Sequence, residues 1–451
     1  MTLERPYPAG EMEAMPAAKA EPRPWRRAIL WMAFLGPFFF ASYGLANYLA
    51  SQRSDVGAVV FGWETAIPFV PWTIIPYWSI DLLYAISVFL CTSRAELDAH
   101  ARRLLTCQIG AVTCFILFPL RFTFGRPDMS GTPGFMFDAL TSFDKPFNQA
   151  PSLHIALLVA LWVIYARHVP RWLVWPLHLW FALIGVSVLT TYQHHFFDLP
   201  TGAALGFFAL WLWPDRGASP IAQLRPTNDP KRRRLALYYV SGAVLAAAAA
   251  LSIGGWGWWL FWLSLALIMV GASYAFLGPE GFQKGPDGRM ALGARALLWP
   301  YLLATRINGW LWRRGRRDAV EIRGGVHING LPSRREAARF PTVIDLCAEL
   351  PGTAPPECCW AWPMLDLVTP EPETLRVAAL MIEQARQRGP VLVCCALGFS
   401  RSAAAIATWL MLHHVPGIDE AIAEIKRAWP HLRLDAAALA AIDKAAQGRV
   451  G

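Results

Sequence analysis

Long runs without charged residues dominate the first 279 residues of this 451-residue chain and constrain its fold more than any other feature. A helix needs about 20 consecutive apolar residues to cross the hydrocarbon core of a bilayer. The runs therefore predict a polytopic α-helical membrane domain with about eight spanning helices, at about 28–50, 70–92, 104–120, 153–169, 172–192, 199–214, 236–253 and 256–276. The last two form one apolar block, which Gly254 and Gly255 divide into a hairpin.

The overall composition agrees with a membrane protein. The chain is 55% hydrophobic and 16% charged, whereas about 25% of residues are charged in soluble domains. Its net charge is +9, and basic residues cluster beside the apolar runs, at Arg26 and Arg27, at 231–234 (KRRR) and at 313–317. Such clusters are typical of topology determinants and of contact with anionic lipid. We therefore expect membrane lipid as a partner and no nucleic acid.

The Lys/Arg bias of short loops predicts the orientation of a multi-pass protein. Loops 93–103, 167–171 and 215–235 are basic, which places both the N- and the C-terminus in the cytoplasm of a cell whose inner (plasma) membrane holds the chain. The basic stretch before Ala28 predicts an uncleaved anchor rather than a cleaved signal peptide. The longest outer loop, 121–152, and the end of the fifth span then share the outer face.

These patterns divide the chain into five segments. They are a disordered cytoplasmic N-terminus (1–27), a membrane domain (28–215), an additional two-helix membrane hairpin (216–279), a basic aromatic interfacial connector (280–317) and a small α/β domain (318–451). In the last segment, 342–346 and 391–393 predict buried strands, while 370–388 and 402–414 predict helices. The eight cysteines have neither the spacing of a disulfide scaffold nor that of a zinc site.

Histidine, carboxylate and arginine side chains recur on the predicted outer face. His194 and Asp198 are four residues apart in TTYQHHFFDLPTG, so a helix would place them on one face. An aspartate that binds one ring nitrogen leaves the other free to act as a nucleophile. His154, in APSLH, and Arg126, in FGRPD, add a candidate general acid and a phosphate-binding cation. Together they are the parts of a phosphohistidine mechanism.

The same segments resemble the three motifs of the type-2 phosphatidic acid phosphatase superfamily, over roughly residues 60–215. The matching residues are Arg126 and Pro127 in the first motif, Pro151, Ser152 and His154 in the second, and His194 and Asp198 in the third. The resemblance implies a six-helix core in which His194 is the nucleophile, Asp198 orients it and His154 is the general acid. By the same resemblance, Arg126 and Ser152 bind the phosphate.

The chain departs from those motifs at three positions. Pro119 stands where the first motif has lysine, Leu153 replaces the glycine of the second, and Val188 replaces the arginine of the third. With two cations fewer, the chain resembles the branch that contains inositol phosphorylceramide synthases, which move phospho-headgroups between lipids. We therefore expect this site either to hydrolyse lipid phosphates or to transfer phospho-headgroups.

A second candidate phosphate site lies in VLVCCALGFSRSA (391–403), within the C-terminal third of the chain. A buried strand delivers Cys395 into a tight loop and a helix begins near Arg401, which is the geometry that binds phosphate at a helix N-terminus. The positive electrostatic potential at a helix N-terminus would also favour the thiolate form of Cys395. Gly398 permits close approach of the backbone, and Ser402 can donate to the sulfur.

Together with Asp366, in MLDLVTPEPET, these residues resemble the dual-specificity branch of the protein tyrosine phosphatase superfamily over roughly residues 318–447. The segments VIDLCAELP and PHLRLDAAALAAI are similar to that family as well. The resemblance implies that Cys395 is the nucleophile and Asp366 the general acid, in a phosphate-binding loop that also contains Gly398, Arg401 and Ser402. Cys394 replaces the histidine of the family signature, so we expect an intact cradle with less stabilisation of the thiolate.

The sequence thus predicts a membrane-bound bifunctional phosphatase. An outer-face phosphohistidine site would act on lipid phosphates or transfer phospho-headgroups, and a cytoplasmic phosphocysteine site would hydrolyse phosphate monoesters of a protein or a phospholipid. Neither site requires a metal or another cofactor. Two alternatives stay open: the membrane half is only an anchor for the phosphatase, or it is a transporter-like lipid-binding module with a regulatory phosphatase.

Overall fold

The structure, a computed structural model, describes residues 22–314 and 318–447. It divides into two compact units, residues 1–217 and residues 218–451. Residues 1–21 of the predicted disordered segment 1–27 lie outside the described residues. The last three residues of that segment are helical, because the first helix begins at Trp25. Two of the arginines in the predicted basic run 313–317 also lie outside them.

The described part of the first unit is helical. Its α-helices are α1 (Trp25–Ser51), α2 (Ile74–Leu90), α3 (Arg94–Leu117), α4 (Gly131–Phe143), α5 (Leu153–His168), α6 (Val174–Thr190) and α7 (Asp198–Leu212). The core of this unit is apolar and lies between α1, α2, α3, α5, α6 and α7.

Fewer helices than the predicted eight satisfy the length and composition of a membrane span. Within residues 22–314 and 318–447 there are five such segments, Trp25–Ser51, Pro71–Leu90, Arg171–Thr190, Pro230–Ile253 and Gly255–Phe282. The predicted spans at 153–169 and 199–214 form α5 and α7, which are apolar but have only 16 and 15 residues. The predicted span at 104–120 corresponds to the later part of α3, whose first turns are charged.

Two glycines allow α7 to pack closely against α5. A Cβ atom at Gly202 would lie 2.4 Å from the carbonyl oxygen of Ser152, and one at Gly206 would lie 2.7 Å from that of Ala156. Small residues four apart are a common means of bringing two membrane helices into backbone contact. The close packing brings the start of α7 beside the start of α5.

The second unit begins with a helical hairpin and two shorter helices. They are α8 (Pro230–Ile253), α9 (Leu260–Ala272), α10 (Leu292–Leu297) and α11 (Trp299–Trp312). Gly254 and Gly255, with φ angles of 64° and 48°, form the predicted division between α8 and α9. Pro300 lies in the first turn of α11, where proline is tolerated, so the break that it causes precedes that helix.

The α/β part of this unit has a five-stranded mixed sheet. Its elements are β1 (Val320–Arg323), β2 (Val326–Gly330), α12 (Arg334–Ala337), β3 (Thr342–Cys347), β4 (Cys359–Met364), α13 (Pro372–Arg386), β5 (Val391–Cys395), α14 (Arg401–His413), α15 (Ile418–Ala428) and α16 (Ala436–Gln447). The strand order is β1-β2-β5-β3-β4; the β1–β2 pair is antiparallel, and the β2–β5, β5–β3 and β3–β4 pairs are parallel. The two predicted strands and the two predicted helices of this region are confirmed as β3, β5, α13 and α14.

Strand β5 is the centre of the sheet, and all five of its residues are buried. It pairs in parallel with β2 on one side and β3 on the other. Functional residues of parallel sheets lie at the carboxyl ends of the strands. The chain leaves β5 at Cys395 and enters α14 at Arg401, so the intervening loop lies at this edge.

Part of the predicted connector, 280–317, packs on the sheet. Lys284 is fully buried, and its Nζ donates to Asp345 Oδ2 and to the Cys347 carbonyl, both at 2.6 Å. The backbone of residues 286–288 also bonds to that of Gly352 and Ala361. This segment therefore contributes to the sheet domain rather than only linking it to the hairpin.

Candidate functional sites

The first candidate site lies in the first unit, where the link between α6 and α7 meets the start of α5. His194 lies in the turn that precedes α7, and Asp198 is the first residue of that helix, so they do not share a helical face as predicted. The turn still brings them together, because His194 Nδ1 lies 3.2 Å from Asp198 Oδ2. The His194 N–H donates to the carbonyl of Val188 and holds this turn against the end of α6.

Ser152 joins α5 to the turn 191–197, which contains His194 and which we call the histidine turn. Its Oγ caps α5 by accepting from the N–H of Ile155, and it lies 3.2 Å from His194 Nε2. Its N–H donates to the carbonyl of Asp198 at 3.0 Å. Asp198, His194 and Ser152 therefore form one buried chain that contacts both ring nitrogens of His194. An imidazole held by a carboxylate at one nitrogen presents the other nitrogen for chemistry.

His154 shares a cavity with His194. The cavity has a volume of about 120 Å³, and its lining includes both histidines together with Tyr77, Asp81 and Asp144. The ring of His154 stacks on that of Tyr77 with a centroid distance of 4.2 Å. Its Nε2 is buried and has no hydrogen-bond partner in the described part of the chain. This nitrogen is available to a group that enters the cavity.

Arg126 lies beside the histidine turn, in the segment between α3 and α4. Its guanidinium lies over the ring of Phe137, 5.4 Å from the centroid. The side-chain oxygen of Gln193, when turned toward Arg126, accepts from both terminal nitrogens at 3.2 and 3.3 Å. Among the described residues the cavity lining does not include Arg126, so the structure brings it to the histidine turn and not into the cavity.

Asp144 is a partly buried carboxylate of this site that sequence analysis missed. The hydroxyl of Tyr43 donates to its Oδ1 at 2.6 Å, and both residues line the cavity. Burial raises the pKa of Asp144, although the Tyr43 hydrogen bond and the charges of His194 and Arg126 oppose this effect. A single carboxylate in a loop forms no sequence pattern, and its partner lies 101 residues away in α1.

Glu64 and His195 form a second buried pair that sequence analysis missed. His195 Nδ1 lies 3.0 Å from Glu64 Oε2, and its Nε2 accepts from the N–H of Thr123 at 3.2 Å. Since Nε2 is an acceptor, Nδ1 carries the proton and donates to the carboxylate. Glu64 also accepts from the N–H groups of Phe61 and Phe196. The pair thus ties the histidine turn to the segment that carries Arg126.

The second candidate site is the loop 395–401, which we call the cysteine loop. The N–H of Gly398 donates to Cys395 Sγ at 3.3 Å, and Ser402 Oγ lies 3.4 Å from the same sulfur. Gly398 has a φ of 78°, and a Cβ atom there would lie 2.7 Å from the carbonyl carbon of Asn329. Only glycine fits this position without displacing β2. The loop therefore curves around the sulfur.

Arg401 is buried at the start of α14 and is held by three groups. Its terminal nitrogens bond to both carboxylate oxygens of Glu349, at 2.6 and 2.7 Å, and to the carbonyl of Met364 at 2.9 Å. Asp366 Oδ1 lies 3.0 Å from Nη2. Burial acts to lower the pKa of Arg401, but the two carboxylates outweigh it and raise that pKa, so the guanidinium is charged.

Asp366 follows β4 and faces the cysteine loop through Arg401. Its side chain is 42% exposed, which leaves it accessible to a ligand. Burial raises the pKa of Asp366, and the charge of Arg401 opposes the rise only in part. A carboxylic acid with a raised pKa is better suited to donate a proton near neutral pH. The structure thus brings Asp366, Arg401 and Cys395 to one place.

Glu349 is the residue of this site that sequence analysis left unassigned, although it lies in the quoted segment VIDLCAELP. Burial acts to raise its pKa, but the charge and hydrogen bonds of Arg401 outweigh burial and lower it. The available signal was a carboxylate just beyond a buried strand. Its partner, 52 residues further along the chain, could not be identified without the fold.

Cys394 lies on β5 opposite Asn329 of β2 and Asp345 of β3. It is fully buried. Burial and the nearby charge of Asp345 raise the pKa of the Cys394 thiol, so this thiol is protonated. The curvature of the cysteine loop around Cys395 is present without a histidine at this position.

No protein-family model matches the chain, and no curated protein matches it. Several solved structures are similar to part of it. PTPMT1 is 17% identical, with 29% of this chain and 94% of that chain covered and a TM-score of 0.25. Human DUSP28 is 23% identical, with coverages of 29% and 93% and a TM-score of 0.26. Tk-PTP in its active form is 22% identical, with coverages of 30% and 98% and a TM-score of 0.24.

Proposed function

We propose that the C-terminal unit is a phosphatase that hydrolyses phosphate monoesters through Cys395. The observation that carries this proposal is the arrangement of the cysteine loop around the sulfur. The Gly398 N–H and the Ser402 hydroxyl contact Cys395 Sγ, and Glu349 fixes Arg401 at the end of the same loop. A phosphate in this loop would meet a nucleophile, a bidentate cation and, in Asp366, a proton donor.

The residues support a two-step reaction. The Cys395 thiolate attacks phosphorus, the bond to the ester oxygen breaks, and Asp366 gives its proton to that oxygen as it leaves. Water then attacks the phosphocysteine and loses a proton to Asp366, while the sulfur leaves as a thiolate that Ser402 stabilises by a hydrogen bond. Arg401 exchanges its contact with Asp366 for the phosphate oxygens and keeps its contact with Glu349.

An assay with a small aryl phosphate tests this activity, because such a substrate needs few contacts outside the cysteine loop. The full chain in detergent is expected to release phosphate, and Cys395→Ser is expected to abolish the release. Cys358→Ser, in the turn before β4, is the matched control and should retain it. Full activity in Cys395→Ser would reject the phosphocysteine site.

We also propose a phosphohistidine site in the membrane unit, which acts on lipid phosphates or transfers phospho-headgroups. The observation in its favour is the Asp198–His194–Ser152 chain beside a cavity that His154 also lines. His194 Nε2 would attack phosphorus after leaving Ser152, and His154 would protonate the leaving oxygen. Water or a lipid hydroxyl would then take the phosphoryl group from His194, giving hydrolysis or transfer respectively.

An assay of lipid products tests whether the first unit has this activity or only anchors the chain or binds lipid. Turnover of phosphatidic acid or an inositol phospholipid without added metal, lost in His194→Ala, is the expected result. His178→Ala is a suitable control. His178 accepts a hydrogen bond from Trp162 Nε1, and among the described residues it is not part of the cavity lining. Unchanged products in His194→Ala would favour the anchor or the transporter-like module.

We further propose that the chain is a multi-pass protein of the inner (plasma) membrane with cytoplasmic termini. The five long apolar helices support insertion in a membrane, and the basic short loops support the orientation. Both termini lie on one side only if the number of crossings is even, so in this proposal α3, α5 and α7 cross the membrane as well. It would place the histidine site on the outer face and the cysteine site in the reducing cytoplasm. A C-terminal epitope should become accessible to antibody only after permeabilisation, whereas detection in intact cells would reverse the topology.

A further inference from the structure

The α8–α9 hairpin contacts the loop that carries the proposed general acid. Tyr274 lies in the π-helical turn Ser273–Leu277 that follows α9, and its side chain is buried. Its hydroxyl donates to the carbonyl oxygen of Asp366 at 3.0 Å. The backbone position of Asp366 is therefore set by a residue from a helix that is long and apolar enough to span a membrane.

This end of the hairpin has the residues of a membrane–water interface. Arg232 Nε donates to the carbonyl of Tyr274 at 3.0 Å, so the basic run 231–234 lies at the same end as Tyr274. The ring of Tyr239 stacks on that of Tyr274 at 5.4 Å. Basic residues and tyrosines at one end of an apolar helix are typical of the headgroup region. The loop with Asp366 is thus hydrogen-bonded to the interfacial end of the hairpin.

The remainder of the hairpin exposes an apolar surface. Large apolar side chains that are exposed on it include Val244, Leu245, Leu251, Ile253 and Ile268. Helices that face lipid present such side chains outward, because lipid tails do not penalise them. The hairpin would therefore hold the cysteine site at the surface of the bilayer.

Leu367, directly after Asp366, is unusual in two respects. Its side chain is 60% exposed, and within the described stretch 318–447 only Leu367 and Leu380 are large apolar residues that are exposed. Its φ is 58°, a left-handed conformation that is unfavourable for leucine. Strained backbone at an exposed position is a basis for inferring function rather than packing. Contact with a bilayer would remove this side chain from water.

We propose that the cysteine site takes its substrate from the bilayer surface, as a phosphate monoester on an anionic membrane lipid. This inference rests on the proposed phosphatase function and names the substrate class for it. Leu367 contacts the lipid beside the scissile phosphate, Tyr274 is a positioning residue for Asp366, and the basic run attracts the anionic surface. A phosphate on a lipid headgroup reaches the cysteine loop without leaving the membrane.

Three substrates with the same reacting group test the proposal on the full chain in detergent micelles. The first is phosphatidylinositol monophosphate in the micelle. The second is glycerophosphoinositol monophosphate, which has the same headgroup without the acyl chains. The third is a soluble phosphotyrosine peptide. All assays use the His194→Ala background, so that released phosphate comes from the cysteine site. Aryl phosphate is assayed in parallel, and its hydrolysis with loss in Cys395→Ser establishes the phosphatase function separately. The lipid is expected to be hydrolysed with the highest kcat/KM.

Leu367→Asn is the specific variant, because asparagine adopts the left-handed conformation more readily than leucine but lacks the apolar surface. Given the free energy of burying a leucine side chain, the ratio of lipid to aryl phosphate turnover should fall about tenfold. Leu380→Asn, on α13, is the matched control and should leave the ratio unchanged. An unchanged ratio in Leu367→Asn, or a preference of the unaltered cysteine site for the peptide or the free headgroup, would overturn the proposal. Absence of aryl phosphate hydrolysis would instead refute the phosphatase function itself.

Discussion

Arg401 and Glu349 form a buried two-point ion pair below the cysteine loop, with nitrogen–oxygen distances of 2.6 and 2.7 Å. The pair leaves the guanidinium in one orientation, with one edge toward Asp366. Removing one member of a buried pair leaves an uncompensated charge, which costs about 3–5 kcal/mol. The geometry of the proposed phosphate site therefore depends on a carboxylate that is itself buried.

Glu349→Gln is expected to lower kcat/KM for aryl phosphate by at least about tenfold, because Arg401 loses its fixed orientation. The melting temperature in detergent should fall as well. Glu424→Gln removes a partner of Arg323 in a pair that is partly exposed, and such pairs are worth about 0–1 kcal/mol. Equal effects of the two substitutions would contradict the role assigned to Glu349.

The pH dependence of turnover reports the protonation of Asp366. Its pKa is raised by burial, with Arg401 opposing, so the acid stays protonated to higher pH than an ordinary aspartate. Turnover that requires this proton should fall as pH rises through the raised pKa. Asp366→Asn should lower kcat by about 10²-fold and remove that alkaline fall. A pH profile with the same fall in Asp366→Asn would assign the acid to another group.

Tyr274→Phe should affect substrates according to their leaving group. Loss of one hydrogen bond to the carbonyl of Asp366 misplaces the general acid, and we expect kcat for an alkyl phosphate to fall about fivefold. An aryl phosphate has a better leaving group and should be affected less. Tyr238→Phe is the control, since Tyr238 is the exposed neighbour of Tyr239 on α8. A uniform loss for both substrates would indicate a structural role only.

Glu64→Gln should destabilise the first unit. Burial acts to raise the pKa of Glu64, but hydrogen bonds from His195 and two backbone N–H groups outweigh it and lower the pKa. The stabilisation is therefore present above the ordinary glutamate pKa and is lost as pH falls through the lowered value. A cost of about 1.5–3 kcal/mol is expected for hydrogen bonds to a charged group.

Thermal unfolding in detergent measures the effect of Glu64→Gln, with Asp138→Asn on the exposed face of α4 as the control. Lipid turnover should fall with stability, because His195 connects Glu64 to Thr123 near Arg126. If Glu64→Gln and Asp138→Asn melt alike, Glu64 does not hold the histidine turn.

Local signals predicted the strand and the helix that flank the cysteine loop. The apolar run before Cys395 and the alanine-rich run after Arg401 are short-range patterns, and both elements form where expected. Glu349 and Asp144 were missed for a physical reason. Each acts through a partner, Arg401 or Tyr43, that is distant in the chain, and only folding reveals the pairing.

The four-residue spacing correctly predicted a contact between His194 and Asp198, but for the wrong structural reason. His194 and Asp198 were expected on one helical face, yet the helix begins only at Asp198. Pro200 was the available signal, because proline is accepted in the first turn of a helix and disfavoured further in. The lengths of α5 and α7 were also not predicted, because a hydrophobic run does not define the residue at which a helix begins or ends.

A comparison of wild type, His194→Ala and Cys395→Ser tests the account of two separate phosphate sites most directly. Each chain is assayed in detergent for aryl phosphate hydrolysis and for products of phosphatidic acid and an inositol phospholipid. We predict that Cys395→Ser abolishes aryl phosphate hydrolysis, while His194→Ala removes a lipid product that Cys395→Ser still forms. Loss of every activity in Cys395→Ser, with His194→Ala indistinguishable from wild type, would contradict the account.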